Sequence, residues 1–318
     1  MHVLYIVVPC YNEEEVLPET SNRLLEKMKS LIEDKILSEK SRIVFVNDGS
    51  KDNTWNIIKN LHEKNKIFSG INLSCNRGHQ NALLSGLMTV KDLCDITISM
   101  DADLQDDIDI IENFIKSYES GSDIVYGVRS ERKTDNIFKR ATGEGFYKFM
   151  KFLGADVVFN HADYRLMSRR ALESLSKYKE VNLFLRGIIP MIGYKTDIVY
   201  YERHKRFAGE SKYPLKKMIA FAFEGITSLS RKPIRFITLL GITILTISFI
   251  VSIYFFIQAI SGITVSGWAS TIISVWFLGG INLFSIGIVG EYVGKIYLET
   301  KERPRFIVES SLIKIDEE

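Results

Sequence analysis

Three residues spaced two apart, Asp101, Asp103 and Gln105, are the part of this sequence best suited to chemistry. In an extended segment alternate side chains point the same way, so two carboxylates and an amide can converge their oxygens on one hard cation. Mg2+ or Mn2+ held by one or two carboxylates completes its shell with diphosphate oxygens and water, where it stabilises charge on a departing nucleoside diphosphate. Taken alone, the same acids would serve equally well as surface carboxylates capping a helix from Ile108. What favours the cation is their company. Pro9-Cys10-Tyr11-Asn12-Glu13, Asn47-Asp48-Gly49-Ser50 and Asn76-Arg77-Gly78-His79-Gln80 each follow a short apolar run, as Asp101 to Asp106 do.

Those runs are the positioning elements. Val3–Val8, Ile43–Val46, Ser69–Leu73, Ile96–Met100 and Ile124–Tyr126 are short and β-branched and read as strands. Glu13–Glu33, Asn53–Lys64, Asn81–Val90 and Ile108–Ser120 have helical length and amphipathic spacing. Strands alternating with helices predict an α/β fold with a mostly parallel, Rossmann-like sheet, in which ligands bind beyond the carboxyl ends of strands. Neither G-x-G-x-x-G nor G-x-x-x-x-G-K-[ST] occurs, which argues against a dinucleotide fold of the usual kind and against a P-loop NTPase.

Charge is distributed very unevenly. The chain of 318 residues has 41 Lys+Arg against 39 Asp+Glu and a net charge of +2, which excludes a strongly basic nucleic-acid binder. No charged residue occurs from Phe236 to Val289. Within that block the runs 236–260 and 268–289 each exceed the roughly 20 helical residues that cross a bilayer, predicting a two-helix transmembrane hairpin over 233–292. Arg231, Lys232 and Arg235 before it, and Lys295, Lys301, Arg303 and Arg305 after it, place both ends in the cytoplasm by the positive-inside rule. The expected organisation is therefore a cytoplasmic domain at 1–213, an amphipathic interface helix at 214–232, the hairpin, and a cytoplasmic tail at 293–318. The only apolar run at the amino terminus, Val3–Val8, is too short for a signal-peptide core, so the first domain is expected to stay on the cytoplasmic side. Gly290-x-x-x-Gly294 gives a helical face of small residues that permits self-association into a homo-oligomer. Cys10, Cys75 and Cys94 have neither zinc-site spacing nor an even count for a disulfide framework.

Taken together, Pro9 to Glu14, Asn47-Asp48-Gly49-Ser50, Asn76-Arg77-Gly78, Asp101-Ala102-Asp103-Leu104-Gln105, Asp163-Tyr164-Arg165-Leu166-Met167 and Arg206-Phe207-Ala208-Gly209-Glu210-Ser211-Lys212-Tyr213 resemble the family 2 glycosyltransferases that load a sugar onto a polyprenyl phosphate. The group most similar is the bactoprenol glucosyltransferases, with dolichyl-phosphate mannose synthases as relatives. The resemblance covers essentially the whole chain. It implies a GT-A fold and inverting transfer from a UDP-sugar, glucose first, to undecaprenyl phosphate. It further implies that Pro9, Tyr11, Glu13, Asp48 and Asp101 hold the nucleotide, and that Asp101, Asp103 and Gln105 hold Mg2+ or Mn2+. Asp163 falls where the family's base is usually proposed, and base, orienting group for Arg165 and structural residue all stay open for it.

An anionic lipid headgroup calls for cations. Arg129 and Arg132 after the fifth strand, and Arg206, Ser211 and Lys212 in the Gly209 loop, are the candidates for lipid phosphate or diphosphate. Basic, aromatic-rich segments from Ile137 to Leu153 and from Leu215 to Leu229 are expected at the bilayer surface. A polymer synthase of the same superfamily would carry Q-x-x-R-W and more spans; here the matching region reads Arg203-His204-Lys205-Arg206-Phe207. From a different class, a non-catalytic nucleotide-sugar-binding membrane scaffold remains the alternative, with other donor sugars the alternative within enzymes.

Overall fold

The computed structural model describes residues 1–130, 161–181, 183–202 and 267–313, with scattered helical positions between 234 and 253. By its contacts the chain divides into two units, one of residues 1–147, 157–214 and 303–318, the other of 148–156 and 215–302.

The first unit is built on an eight-stranded sheet. Its strands are β1 (Leu4–Cys10), β2 (Arg42–Asn47), β3 (Phe68–Leu73), β4 (Ile96–Ser99), β5 (Ile124–Arg129), β6 (His161–Ser168), β7 (Thr196–Tyr201) and β8 (Val308–Ser311), in the order β7-β5-β6-β4-β1-β2-β3-β8. Helices α1 (Leu17–Glu33), α2 (Thr54–Lys64), α3 (His79–Val90), α4 (Ile111–Glu119), α5 (Arg169–Leu175) and α6 (Leu185–Met191) cover its faces. β1 and β4 are almost wholly buried, as central strands covered on both faces must be. One core layer joins Leu17, Leu24, Met28 and Leu31 of α1, spaced along one helical stripe, to Ile58 of α2 and Phe114 of α4. The opposite layer joins Leu83, Leu84 and Leu87 of α3 to Leu172 of α5 and Ile188 of α6.

The five expected strands are all present, and the sheet is mixed. β1 runs parallel to β2 and β4, β2 to β3, and β5 to β7. β6 enters antiparallel between β4 and β5, so the expected mostly parallel sheet takes an antiparallel strand from further along the chain into its interior. Helix starts also move, and α3 begins at His79 rather than Asn81. α1 begins at Leu17 rather than Glu13, with a proline in its first turn, where a missing N–H costs nothing. The segment from Ile108 opens as a 3-10 turn whose Asp107 side chain accepts from the Asp109 amide, and the α-helix starts at Ile111.

In the second unit, the uncharged run 268–289 lies inside α7 (Trp268–Thr300), a helix of 33 residues. Leu283, Phe284 and Ile286 on it are exposed, and the described positions between 234 and 253 are all helical. No helix built from the described residues alone is long and apolar enough to cross a membrane; several α7 side chains within 268–277 fall outside that description. The expected tail, 293–318, is divided. Its first residues extend α7, and from Arg303 the chain rejoins the first unit, where β8 adds an antiparallel edge to β3. The interfacial segment 137–153 and the helix expected at 214–232 lie outside the described residues.

Candidate active site

Two loops at the carboxyl ends of β1 and β2 are stitched together. Asn12, at φ 53°, donates its amide to Ser50 Oγ, and its side-chain oxygen accepts from the Lys51 amide. The Glu13 amide donates to Thr54 Oγ1, while the Glu13 carbonyl accepts from the Val16 and Leu17 amides at the start of α1. Pro9 lies within β1 opposite Val46, and Tyr11 is exposed. Asp48 is buried, and its two carboxylate oxygens accept from the amides of Arg77 (2.7 Å) and Gly78 (3.0 Å). Burial raises its pKa, and those two amide bonds oppose the rise.

The next residue, His79, opens α3 and carries the site across to the other half of the sheet. Its Nε2 lies 3.6 Å from Asp101 Oδ1 and 3.5 Å from Asp163 Oδ2. Asp163 and Arg165 are two apart on β6 and so share a face; Ser99 of β4 fixes that strand by donating its hydroxyl to the Asp163 carbonyl at 2.7 Å. Arg165 Nη2 donates to Asp163 Oδ1, and Arg186 of α6 donates to Oδ2 at 3.0 Å. Gln80, next to His79, accepts from the Leu185 amide and so holds the start of the helix that carries Arg186.

The electrostatics follow this geometry. Burial pushes Asp101 up to about 6; His79 opposes the shift, while Asp106, Asp163 and Asp103 add to it. Burial acts to lower His79, but its hydrogen bond to Asp163 and the charges of Asp101 and Asp163 win, raising it to about 9. Burial likewise acts against the Asp163 carboxylate, yet His79, Arg165 and Arg186 hold it well below the usual carboxylate range.

The acidic loop is not the extended segment expected. Leu104 adopts φ 57° and Asp103 Oδ1 accepts from the Gln105 amide, so the chain turns between them and Gln105 is buried. Alternation therefore does not assemble Asp101, Asp103 and Gln105 as three equivalent ligands. Among the described residues, no group of three His, Cys, Asp or Glu side chains is arranged to hold a metal. Asp101 and Asp103 still fit a hard divalent cation, because Asp101 lies among like-charged carboxylates that raise its pKa. Two carboxylates are also the number that leaves coordination positions for diphosphate.

Of the expected site residues, Asp163 and Arg165 lie within β6, and Pro9, Tyr11, Glu13, Asp48, Asp101, Asp103 and Gln105 lie on strand ends or loops of the first unit. Arg129 is also there, with its guanidinium turned onto Asp106 and Tyr201. Arg132, Arg206, Ser211 and Lys212 lie outside the described residues. His79 and Arg186 were not anticipated as site residues. His79 had a signal in its strand-end cluster, whereas Arg186 follows an apolar stretch far from any motif.

A mixed, Rossmann-like sheet flanked by helices, with polar loops at the ends of β1 and β2 and a carboxylate cluster beyond β4, is the GT-A architecture. Residues 5–176 match the family described as Glycosyl transferase family 2. The chain is 56% identical over 310 residues to the uncharacterised glycosyltransferase YkoT of Bacillus subtilis, covering 98% of this chain and 92% of that one. It is 40% identical over 309 residues to the bactoprenol glucosyl transferase of Shigella phage SfX, covering 96% and 98%. Among solved structures, mannosyl-3-phosphoglycerate synthase from Rubrobacter xylanophilus aligns with a TM-score of 0.48 at 13% identity, over 76% of this chain and 75% of that one. The chain belongs to glycosyl transferase family 2.

Proposed function

We propose that this protein transfers a sugar, with glucose as the first assignment, from a UDP-sugar to a polyprenyl phosphate such as undecaprenyl phosphate, with inversion at the anomeric carbon. The observation that carries this reading is the continuity of one short loop. Arg77 and Gly78 hold Asp48 through their amides, and His79 beside them touches both Asp101 and Asp163. A nucleoside on the Asp48 side would therefore have its diphosphate directed toward the acidic loop.

Pro9, Tyr11, Glu13 and Asp48 would hold the nucleoside. Asp101 and Asp103 would hold Mg2+ or Mn2+, which when bound neutralises charge on the departing diphosphate. The acceptor needs positioning more than activation, since a phosphate monoester with a second pKa near 6 is already largely anionic at neutral pH. Asp163 suits that division of labour. A carboxylate that accepts from two arginines and a histidine is a poor proton acceptor, and its geometry fits orienting Arg186 and His79. Arg132, Arg206, Ser211 and Lys212 remain proposed cations and donors for lipid phosphate or diphosphate.

The membrane assignment is part of the same proposal. Two helical spans at 236–260 and 268–289 would anchor the enzyme in the cytoplasmic membrane, with the sheet unit and both termini on the cytoplasmic side. Its support is the uncharged block, the length of α7 and near full-length similarity to a bactoprenol glucosyl transferase.

The test is a donor panel of UDP-glucose, UDP-galactose, UDP-N-acetylhexosamines and other nucleotide sugars. Each is offered with a short polyprenyl phosphate and Mn2+ or Mg2+ to purified full-length protein, with Asp103→Ala as control. UDP-glucose turnover that needs the metal and is lost in the control is expected. Turnover with another donor alone would reassign the sugar, and tight UDP binding without transfer from any donor would identify a non-catalytic scaffold.

A further inference from the structure

Asp106 closes the acidic loop, and its side chain has no exposed surface. A carboxylate in that position is costly unless it is paired and hydrogen-bonded. Both partners come from strand ends on the far side of the sheet. Arg129, the last residue of β5, donates from Nη2 to Asp106 Oδ1 at 3.2 Å and from Nε to the Tyr201 hydroxyl, also at 3.2 Å. Tyr201, the last residue of β7 and paired with Arg129 in the sheet, donates its hydroxyl to the same Asp106 oxygen at 2.5 Å. Three side chains from three chain segments thus close a triangle in which each touches the other two.

We infer that Asp106, Arg129 and Tyr201 form a clamp that sets the conformation of the acidic loop, and that Arg129 is a positioning residue rather than a ligand of the acceptor phosphate. The loop needs such a device. It has left the sheet ladder, it turns through a left-handed Leu104, and Asp101 and Asp103 repel each other's charge. Backbone anchors hold its beginning and its end. Thr20 Oγ1 donates to the Ala102 carbonyl at 2.7 Å, and the Tyr164 hydroxyl donates to the Asp107 carbonyl at 2.9 Å. Asp106 supplies the side-chain anchor between Gln105 and that second point. The Tyr164 and Tyr201 rings meet edge to face, with centroids 5.5 Å apart, so the two tyrosines that hold the loop also fix each other. Arg129 has both Nε and Nη2 committed to this triangle, a poor starting point for a residue that must leave to meet a lipid headgroup. Arg132, three positions on, is the better candidate for that task.

The inference rests on the proposed function for what the loop holds, and its test separates the two. Tyr201→Phe removes one hydroxyl, hence two of the three contacts, while keeping the ring against Tyr164. Arg129→Lys and Arg129→Gln weaken the triangle stepwise. Mn2+ affinity of full-length protein is read by electron paramagnetic resonance in a titration with the metal alone, and kcat and acceptor KM are read from sugar transfer. Displacing supports of a metal site weakens binding by about 10- to 100-fold. Tyr201→Phe is expected to fall near the lower end, with reduced kcat and an acceptor KM close to wild type. Arg129→Lys should lie between wild type and Arg129→Gln, and Asp106→Asn combined with Tyr201→Phe should cost little more than Asp106→Asn alone. Arg129→Gln that raises acceptor KM alone, with Mn2+ affinity and kcat intact, would overturn the clamp and restore Arg129 as a phosphate ligand. Unchanged Mn2+ affinity in Tyr201→Phe would overturn it too, and this variant keeps the test valid if Asp106→Asn does not fold. Wild-type protein that binds Mn2+ but transfers no sugar would overturn the proposed function and leave the clamp's own readout standing.

Discussion

Asp48 and Asp163 are buried carboxylates at opposite ends of one cluster, and the protein holds them in opposite ways. Two backbone amides grip Asp48, and burial leaves its pKa raised. Asp163 is ringed by three cationic side chains that overcome its burial and hold its pKa well down. Amides are fixed by the fold, whereas side-chain cations come from β6, α6 and α3 and must be brought together by packing. The β1–β3 half therefore presents a site set mainly by backbone geometry. The half built from β4 to β7 presents one set by charge balance, and the two should fail differently.

The largest expected effect tests whether the charge-balanced half carries the chemistry. Asp103→Ala should lower kcat by about 10²–10³-fold, the scale on which loss of one stabiliser of transition-state charge is felt. UDP affinity in the absence of metal should change little, because Asp48 and its loop are untouched. Equal loss of both would merge the two regions into one. Chelation of divalent metal by EDTA should reproduce the variant's rate in the wild type, and re-addition of Mn2+ should rescue only the wild type.

Asp163 sharpens the contrast through a pair of variants. Asp163→Ala strips the carboxylate from Arg165, whose side chain is 1% exposed and whose Nε and Nη1 already lack hydrogen-bond partners among the described residues. Breaking a buried pair from one side typically costs about 3–5 kcal/mol, so a large fall in the denaturant midpoint is expected. Asp163→Asn keeps the shape and should keep the fold. Removing a general base costs about 10²–10⁴-fold, whereas an orienting carboxylate should cost less than about 10²-fold and leave the pH profile of kcat where it was. Complete loss of transfer with normal donor binding would return Asp163 to the role of base.

The same difference explains what was legible in the sequence. β1 to β4 follow one another with helices between them, and each ends in a polar cluster, so hydrophobic periodicity alone places Asp48 and Asp101 at strand ends. β6 opens with His161-Ala162-Asp163, which is no β-branched apolar run, and joins the sheet out of order between β4 and β5, so local pattern gave no cue that Asp163 would meet His79. Arg186 was invisible for a related reason. Its helix is short, and what directs it at Asp163 is the Gln80 side chain, a contact spanning 105 positions. Gln105 misled because alternation presumes an extended backbone, and a single residue with positive φ, Leu104, is enough to end it.

In the backbone-set half, the sensitive variants should be glycines rather than charges. Gly49 has φ 61°, and a Cβ there would come within 2.5 Å of the Asn76 amide nitrogen, a backbone atom that cannot move aside cheaply. Gly78 has φ 84° with no atom within 4 Å of such a Cβ, so alanine there meets strain without a clash. With ψ 154°, Gly78 sits in a region that essentially only glycine occupies, and that strain, about 1–3 kcal/mol, is the whole expected cost of Gly78→Ala. Gly49→Ala should cost more and should weaken UDP binding, because it displaces the segment that carries the Arg77 and Gly78 amides to Asp48. Equal denaturant midpoints for the two variants would show that the loop 75–78 yields, and backbone placement would no longer explain Asp48.

The smallest effect comes from a second ion pair in the charge-balanced half, well away from the chemistry. Asp123, just before β5, accepts from Arg170 of α5 and from Ser168 Oγ at the end of β6. Burial works against its carboxylate, but those hydrogen bonds and the Arg170 charge hold its pKa below the ordinary 3.8. A depressed folded pKa contributes stability that is present above the unfolded value and is lost as pH falls through the folded one. Thermal unfolding of Asp123→Asn should therefore lie slightly below wild type at neutral pH, and the two should converge as the medium is acidified past the ordinary carboxylate range and through the depressed folded pKa. Because Arg170 is mostly exposed, added salt should shrink the neutral-pH gap as well. The Asp48 loop supplies the control. Its grip on the carboxylate is made by uncharged amides, so a Gly49→Ala difference that shrank with salt in the same way would dissolve the distinction between the two halves.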